Sequence, residues 1–282
     1  MGFNYDKISP AMPGHDQVTF RPLSSEQDYH ACIELQRKTW GRDFSDAVPM
    51  SILKITQKAG GIAAGAFSED GRILGFVYGL TGVRDGKIFH WSHMLAVDPE
   101  ARDLGLGTRL KRYQRDLLLP MGVERVEWTY DPLEARNAHL NLNHLGAAAC
   151  EFVRDMYEGE FGSELARGIG TDRFIVAWMI ASDRVARRLA EGPPKPEEIR
   201  RLFEDAPAIG PDTGDLPDAP RVRIEIPADV QALKSVDLDR ALAYRDSNRR
   251  AFEHYLAGGW KIEDFYRDGE RCYYGVSRES RE

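Results

Sequence analysis

Gly105 and Gly107 stand one residue apart in "AVDPEARDLGLGTRLKRYQ" (96–114), just where an amphipathic pattern begins. A helix N-terminus carries unpaired N–H groups and the positive end of the helix dipole, so it binds anions when nothing bulky stands before it. Two glycines clear that space, and glycine adopts turn angles that a residue with a Cβ resists. Thr108 adds a hydroxyl, and Arg102, Arg109 and Arg112 carry cations close by in sequence. The chemistry is phosphate binding, but the loop lacks the lysine of GxxxxGK[ST] and is not a nucleotide P-loop. Nor does it follow the βαβ unit of a dinucleotide fold.

The elements that position this loop follow from periodicity and turn signals. "VTFRPL" (18–23) reads as a strand, followed by a helix capped by Ser24 or Ser25 and stopped by Gly41, then a second helix over 49–57. "EDGR" and "RDGK" separate three apolar segments between 60 and 97, which predicts an antiparallel meander. Leu106, Leu110, Tyr113 and Leu117 then recur at helical spacing, with Arg109, Lys111, Arg112 and Arg115 expected on the surface. Strands over 123–130, 149–157 and 173–181 and a helix ending at Gly146 complete a mixed α/β pattern.

Residues 183–219 are rich in proline and acid and read as a linker with one short helix, "PEEIRRLFED". Residues 220–282 then supply strand, helix, strand, strand, repeating the order of 123–181. The predicted organisation is a domain over 1–182, a linker over 183–219 and a C-terminal lobe over 220–282.

Composition narrows the partners. A net charge of -7 has the wrong sign for a nucleic-acid binder. Cys32, Cys150 and Cys272 lie far apart with no CxxC pair, which points to a reducing compartment and away from a zinc site. No segment approaches the roughly 20 apolar residues of a membrane span, and the first residues lack a secretory pattern. The expectation is a cytoplasmic protein with no metal, nucleic-acid or membrane partner.

"LAVDPEARDLGLGTRL" resembles the acetyl-coenzyme A signature of the GNAT superfamily of N-acetyltransferases, and the resemblance extends over about 18–181. It implies a mixed, mostly antiparallel sheet flanked by helices, with the C-terminal lobe a partial GNAT repeat. Leu95, Ala96 and Val97 would pair with the pantetheine arm, and the amides of Arg102, Asp103, Leu104, Gly105, Leu106, Gly107 and Thr108 would hold the pyrophosphate. The resemblance implies Asn137 as a further coenzyme A contact, although its offset from Gly146 departs from the superfamily's usual one. Strands 87–97 and 123–130 would splay to admit the thioester, with the acceptor approaching from the opposite side. The chain is most similar to a bacterial branch with a long C-terminal extension. For that branch the donor is acetyl- or succinyl-coenzyme A and the acceptor a small amine such as an amino acid.

Acyl transfer needs a neutral amine. At pH 7 a lysine-like amine gives up roughly 3.4 pK units, about 4.6 kcal/mol, whereas an α-amino group gives up only about 1 kcal/mol. His93 is the candidate base, because it falls where serotonin-type members carry a relay histidine. It is expected on one strand face with Trp91, Leu95 and Val97, and His90 on the other. His139 and His144, five apart and about 140° around a helix, are poor partners for one metal. The usual tyrosine acid is missing, because Leu142 occupies its place; Tyr130, Asn141, Asn143 and Tyr157 are the alternatives. Asn248, Ala251, Tyr255, Gly259 and Trp260 match the superfamily helix better, yet their lobe has no glycine loop. A non-catalytic coenzyme A sensor or scaffold is the competing class. Edge strands in the C-terminal lobe suit a homodimer.

Overall fold

The computed structural model describes residues 17–157 and 165–278. All strands join one 11-stranded sheet, ordered β1-β2-β3-β4-β5-β7-β6-β10-β11-β9-β8. Its first part comprises β1 (Thr19–Pro22), β2 (Ile62–Phe67), β3 (Ile73–Arg84) and β4 (Lys87–Val97), all antiparallel. Helices α1 (Glu26–Trp40) and α2 (Met50–Lys58) cover one face of this meander, and α3 (Leu106–Leu118) covers the other. Ser25 starts α1 with a reciprocal capping box to Asp28, and Gly41 ends it. The mixed, mostly antiparallel α/β architecture is the one that the sequence implies.

Two irregularities shape the centre. Between the pairs Tyr78↔Met94 and Leu80↔Trp91, two β4 residues, Ser92 and His93, oppose Gly79 alone, which is a β-bulge. Gly79 must be glycine, because a Cβ there would lie 2.3 Å from His90 Nε2 and 2.6 Å from the Trp91 carbonyl oxygen. The bulge also changes which residues share a face. Leu95 and Val97 pack with the core under α3, whereas Met94 and Ala96 pack with the core under α1 and α2. Strict alternation had grouped His93 with Leu95 and Val97, and the extra residue overturns that grouping.

The second irregularity follows directly. β5 (Arg125–Tyr130) runs parallel to β4 through only three pairs, Phe89↔Arg125, His90↔Val126 and Trp91↔Glu127. Beyond them, Trp128, Thr129 and Tyr130 pair only with β7 (Arg173–Met179). The strands therefore part, leaving the β4 backbone from Ser92 to Val97 without β5 pairing.

The C-terminal region mirrors what precedes it. β9 (Arg221–Pro227), α8 (Leu238–Ala257), β10 (Lys261–Asp268) and β11 (Arg271–Ser277) place their strands in the order β9-β11-β10, as β5-β7-β6 stand in the first part. The two triads meet where β10 pairs with β6 (Ala148–Val153) through Ile262↔Ala149. Side chains lock the junction more firmly than that one pair. Arg245, 1% exposed, donates to both oxygens of Asp131 at 2.8 and 2.7 Å, and Arg249 donates to Asp172 at 2.7 and 2.8 Å. Removing one partner of such a buried pair typically costs about 3–5 kcal/mol.

The stretch 183–219 carries more structure than its composition suggested. It holds α5 (Asp183–Glu191), α6 (Pro196–Leu202) and β8 (Ala208–Ile209), the last parallel to β9. Val185, Ile199, Phe203 and Ile209 are buried, and these four apolar anchors tie a proline-rich path down. The expected long helix from 230 to 257 is also divided. Asp237 ends α7 (Val230–Val236) and caps α8 by accepting from the Arg240 amide.

Candidate active site

The glycine loop lies where β4 leaves the sheet. Asp98 caps a 3-10 turn over Pro99–Leu104 by accepting from the Glu100 amide at 3.0 Å, and Lys38 pairs with its carboxylate at 2.9 Å. Gly105 then adopts φ +64°, a left-handed angle, and serves as the N-cap of α3 with no side-chain cap. A Cβ on Gly105 would meet nothing within 4 Å, so open space faces the uncapped amides of α3. Leu106 is fully buried and contributes only backbone to that side, while Thr108 is half-buried and Arg102 is exposed. Arg109 stacks 4.7 Å over Phe20 and leaves a buried Nη1 without a partner. Uncapped amides and an open cradle suit a pyrophosphate, and the unpaired β4 edge suits an extended arm.

On the other face of the sheet lies a cleft of about 460 Å³, lined by Asp46, Val48, Ile52, Tyr78, Leu80, Trp91 and His93 among others. Its outer wall is the loop between α1 and α2. Buried Gln36 pins that loop by accepting from the Val48 amide at 2.7 Å. The bulge turns His93 outward into the cleft, where its ring meets Tyr78 edge-on at 6.0 Å. Desolvation by the crowded wall lowers the His93 pKa, and the Asp46 carboxylate opposes that shift. The imidazole is therefore neutral at pH 7 and able to accept a proton. Uncapped amides on one face and a neutral base on the other flank the gap between β4 and β5.

Beneath α3 the structure departs from the expected amphipathic helix. Lys111, assigned by its charge to water, is 2% exposed and donates to Ser92 Oγ at 2.7 Å and Gln114 Oε1 at 3.3 Å, with Nζ 3.8 Å from the centre of the Trp128 ring. Burial drives its pKa well below the ordinary value, because no carboxylate pairs with it among the described residues. Gln114 Nε2 donates to His90 Nε2 at 3.0 Å, so His90 Nδ1 carries its proton and donates to Thr81 Oγ1, also 3.0 Å away. Burial, aided by the Lys111 charge, lowers the His90 pKa to about 3.

This predicts an acid-sensitive core. The unfolded chain protonates His90 near pH 6.5 and the folded one only near pH 3, so stability present above pH 6.5 is lost as pH falls through that window. The full loss is on the order of 5 kcal/mol. Urea unfolding of wild type and His90→Gln at pH 7 and pH 4 checks it: the variant is expected to lose clearly less stability on acidification. Equal losses would contradict it.

The helix expected to end at Gly146 is one α-turn, α4 (Ala135–Ala138), followed by a π-helical stretch over His139–His144. The Leu145 amide reaches back five residues to the Leu140 carbonyl at 3.0 Å. The wider turn brings His139 and His144 together, Nε2 to Nε2 at 3.2 Å, which α-helical spacing had kept apart. It also buries two asparagines expected to be solvated if they were not catalytic. Asn141 accepts from Trp128 Nε1 at 3.2 Å, and Asn143 Nδ2 donates to the Phe265 carbonyl at 2.7 Å. Asn137 is exposed, and Leu142 is fully buried in the core.

The remaining candidate acids sit elsewhere. Tyr130 is buried against Phe174, with the Tyr274 hydroxyl 3.3 Å away, and burial raises its pKa. Its place is the junction core. Tyr157 meets Thr129 Oγ1 at 3.1 Å at the outer end of β5. Tyr255, on α8, is buried and donates to the Pro217 carbonyl at 2.7 Å, which anchors the path into β9.

Comparison with known proteins bears on this geometry. Residues 29–142 match the family model of the acetyltransferase (GNAT) family. That stretch is similar to GNAT acetyltransferases. It contains most of α1, strands β2 to β5, the glycine loop and α3, and so both faces of the gap. No curated protein matches the chain in sequence. Similar solved structures include an acetyltransferase of the GNAT family from Streptococcus pneumoniae, 16% identical with TM-score 0.45, covering 57% of this chain and 97% of that one. The ribosomal-protein-S18-alanine N-acetyltransferase from Escherichia coli is 21% identical with TM-score 0.42, covering 58% and 95%. The NatC complex bound to Gag peptide and CoA contributes a chain 13% identical with TM-score 0.46, covering 58% and 98%.

Around the gap between β4 and β5 the sequence reading missed Lys111, Ser92, Gln114 and Glu127. Lys111, Gln114 and Leu118 follow the i, i+3, i+7 spacing of a buried stripe, a signal masked by the polarity of the first two.

Proposed function

We propose that the protein transfers an acyl group from coenzyme A to the amine of a small substrate. The observation that carries this reading is the parting of β4 and β5 beyond Trp91 and Glu127, with the uncapped α3 N-terminus on one face and neutral His93 on the other. Acyl-coenzyme A, when bound, supplies the activated acyl carbon and the leaving thiol. The amides from Gly105 to Thr108 hold its pyrophosphate, and the unpaired β4 edge around Leu95, Ala96 and Val97 aligns its arm. Asp46 at the cleft draws in the ammonium form of the acceptor, and His93 takes the proton that frees the nitrogen lone pair. An N–C bond forms, the C–S bond breaks, and the displaced proton ends on sulfur. Acetyl and succinyl groups are both candidate cargo.

The second reading, a coenzyme A-binding protein without turnover, rests on buried Leu142 standing where the superfamily's tyrosine acid is usual. Thiol release separates the two. With acetyl- or succinyl-coenzyme A and a panel of primary amines, the transferase releases thiol in proportion to acylated amine. Tight coenzyme A binding with no release over the whole panel would leave the second reading standing.

A further inference from the structure

Next to the cleft the same sheet face carries a charged cluster for which acyl transfer itself has no use. Glu127 pairs with Trp91 across the strands, and paired neighbours point to the same side, so its carboxylate shares the face of the cleft. The Glu127 side chain is 3% exposed. Arg84 Nη1 donates to both its oxygens, at 3.1 and 2.8 Å, and Arg125 Nε donates to Oε1 at 2.6 Å. The Arg84 guanidinium also lies 4.2 Å over the Phe89 ring, which fixes its plane.

Two guanidiniums against one carboxylate leave one net positive charge, and it is accessible: the arginine side chains are 51% and 44% exposed while Glu127 is sealed. Each guanidinium has five N–H donors; Glu127 occupies one nitrogen of each, and Arg125 Nη2 also lies 4.0 Å from Cys150 Sγ, which leaves donors free on both. At the other end of the face stand Asp46 and His93. His93 stands two residues beyond Trp91 on β4, on the far side of the bulge from Glu127's partner. Apolar Trp91, Leu80 and Ile52 line the cleft between. The face is thus dipolar, with an ammonium-accepting end, an apolar middle and a guanidinium end.

We infer that Arg84 and Arg125 form a carboxylate subsite of the transfer site. This deepens the transferase reading and rests on it. The carboxylate is carried either at the far end of the acceptor or at the end of the donor's acyl chain, and the two sources share one recognition chemistry. An α-amino acid holds its carboxylate on the carbon that bears the amine, too close to span two strand residues. An amine with a distal carboxylate, or a dicarboxylic monoacyl donor, reaches.

Glu127→Gln and Arg84→Gln test the subsite with opposite signs. Glu127→Gln keeps a hydrogen-bond acceptor but releases both guanidiniums, so it is expected to tighten carboxylate-bearing ligands about 3- to 10-fold; Arg84→Gln weakens them by a similar factor. Calorimetry compares succinyl- with acetyl-coenzyme A by their Kd, and thiol release with acetyl-coenzyme A as donor compares para-(aminomethyl)benzoate with benzylamine by their KM. A split confined to the donors assigns the carboxylate to the acyl chain, and a split confined to the amines assigns it to the acceptor. If each variant shifts both members of each pair equally, or shifts none, the arginines are only counter-ions of Glu127 and the inference is overturned. Failure of wild type to bind acetyl-coenzyme A in the same titrations would instead remove the transferase reading and the subsite with it. Thermal unfolding of both variants confirms that the comparisons are made on folded protein.

Discussion

Replacing Gly105 with aspartate is expected to weaken acetyl-coenzyme A binding at least 100-fold while leaving the fold intact. Gly105 has φ +64°, a conformation that aspartate tolerates better than most residues, and its Cβ would enter open space. The backbone therefore stays in place. The new carboxylate, however, stands in front of the α3 amides, caps them and repels the pyrophosphate. Like charges about 4 Å apart near a protein surface repel by about 4 kcal/mol, more than the roughly 2.7 kcal/mol that a 100-fold loss requires. Gly107→Ala is the graded control, because its Cβ would meet only Leu140 Cδ2 at 3.6 Å, an ordinary contact. Calorimetric titration checks both, with thermal unfolding as the test of folding. Unchanged affinity in Gly105→Asp would remove the loop from cofactor binding.

His93→Ala is expected to lower kcat by about 100- to 10,000-fold, the range for loss of a general base. Coenzyme A affinity is expected to stay near wild type, because His93 faces the cleft and the loop lies across the sheet. The pH profile gives the finer check. Because desolvation lowers the His93 pKa, kcat/KM for the wild type rises through a limb below pH 6.5 as the imidazole loses its proton. Asp46 opposes that shift, so Asp46→Asn moves the limb to still lower pH. A second rise at higher pH belongs to the amine itself. A profile unaffected by His93→Ala would assign the base elsewhere.

How far the sequence foretold this site depends on whether each feature is local. The glycine loop was legible because Asp98, Pro99, Gly105 and Gly107 form a strand exit, a turn and an uncapped helix start within ten residues. The meander, the capping box at Ser25 and the repeated strand, helix, strand, strand order of the C-terminal region were legible for the same reason. Lys111 was not. A lysine on an amphipathic helix is assigned to water, and only the tertiary arrival of Ser92, Gln114 and Trp128 provides it a buried place. The bulge at Ser92 and His93 left no mark either, because one extra residue in a strand is defined by its partner, Gly79. It nevertheless decides which β4 side chains face the cleft. The π-helical stretch escaped a period-3.6 reading, and with it the contact between His139 and His144 and the burial of Asn141 and Asn143. Glu127 went unnoticed because Arg84, which grips both its oxygens, arrives from β3, and Arg125 two residues away on β5 gives no signal without it.

The most direct test of acyl-coenzyme A binding at the β4–β5 gap is calorimetric titration of the full-length protein with acetyl-coenzyme A, alongside thermal unfolding. One saturable site per chain is predicted, with the unfolding temperature rising as ligand is added, because binding to the folded state alone stabilises it by mass action. No binding heat and an unmoved unfolding temperature at millimolar acetyl-coenzyme A would contradict it, and the two glycines would then be no more than a turn.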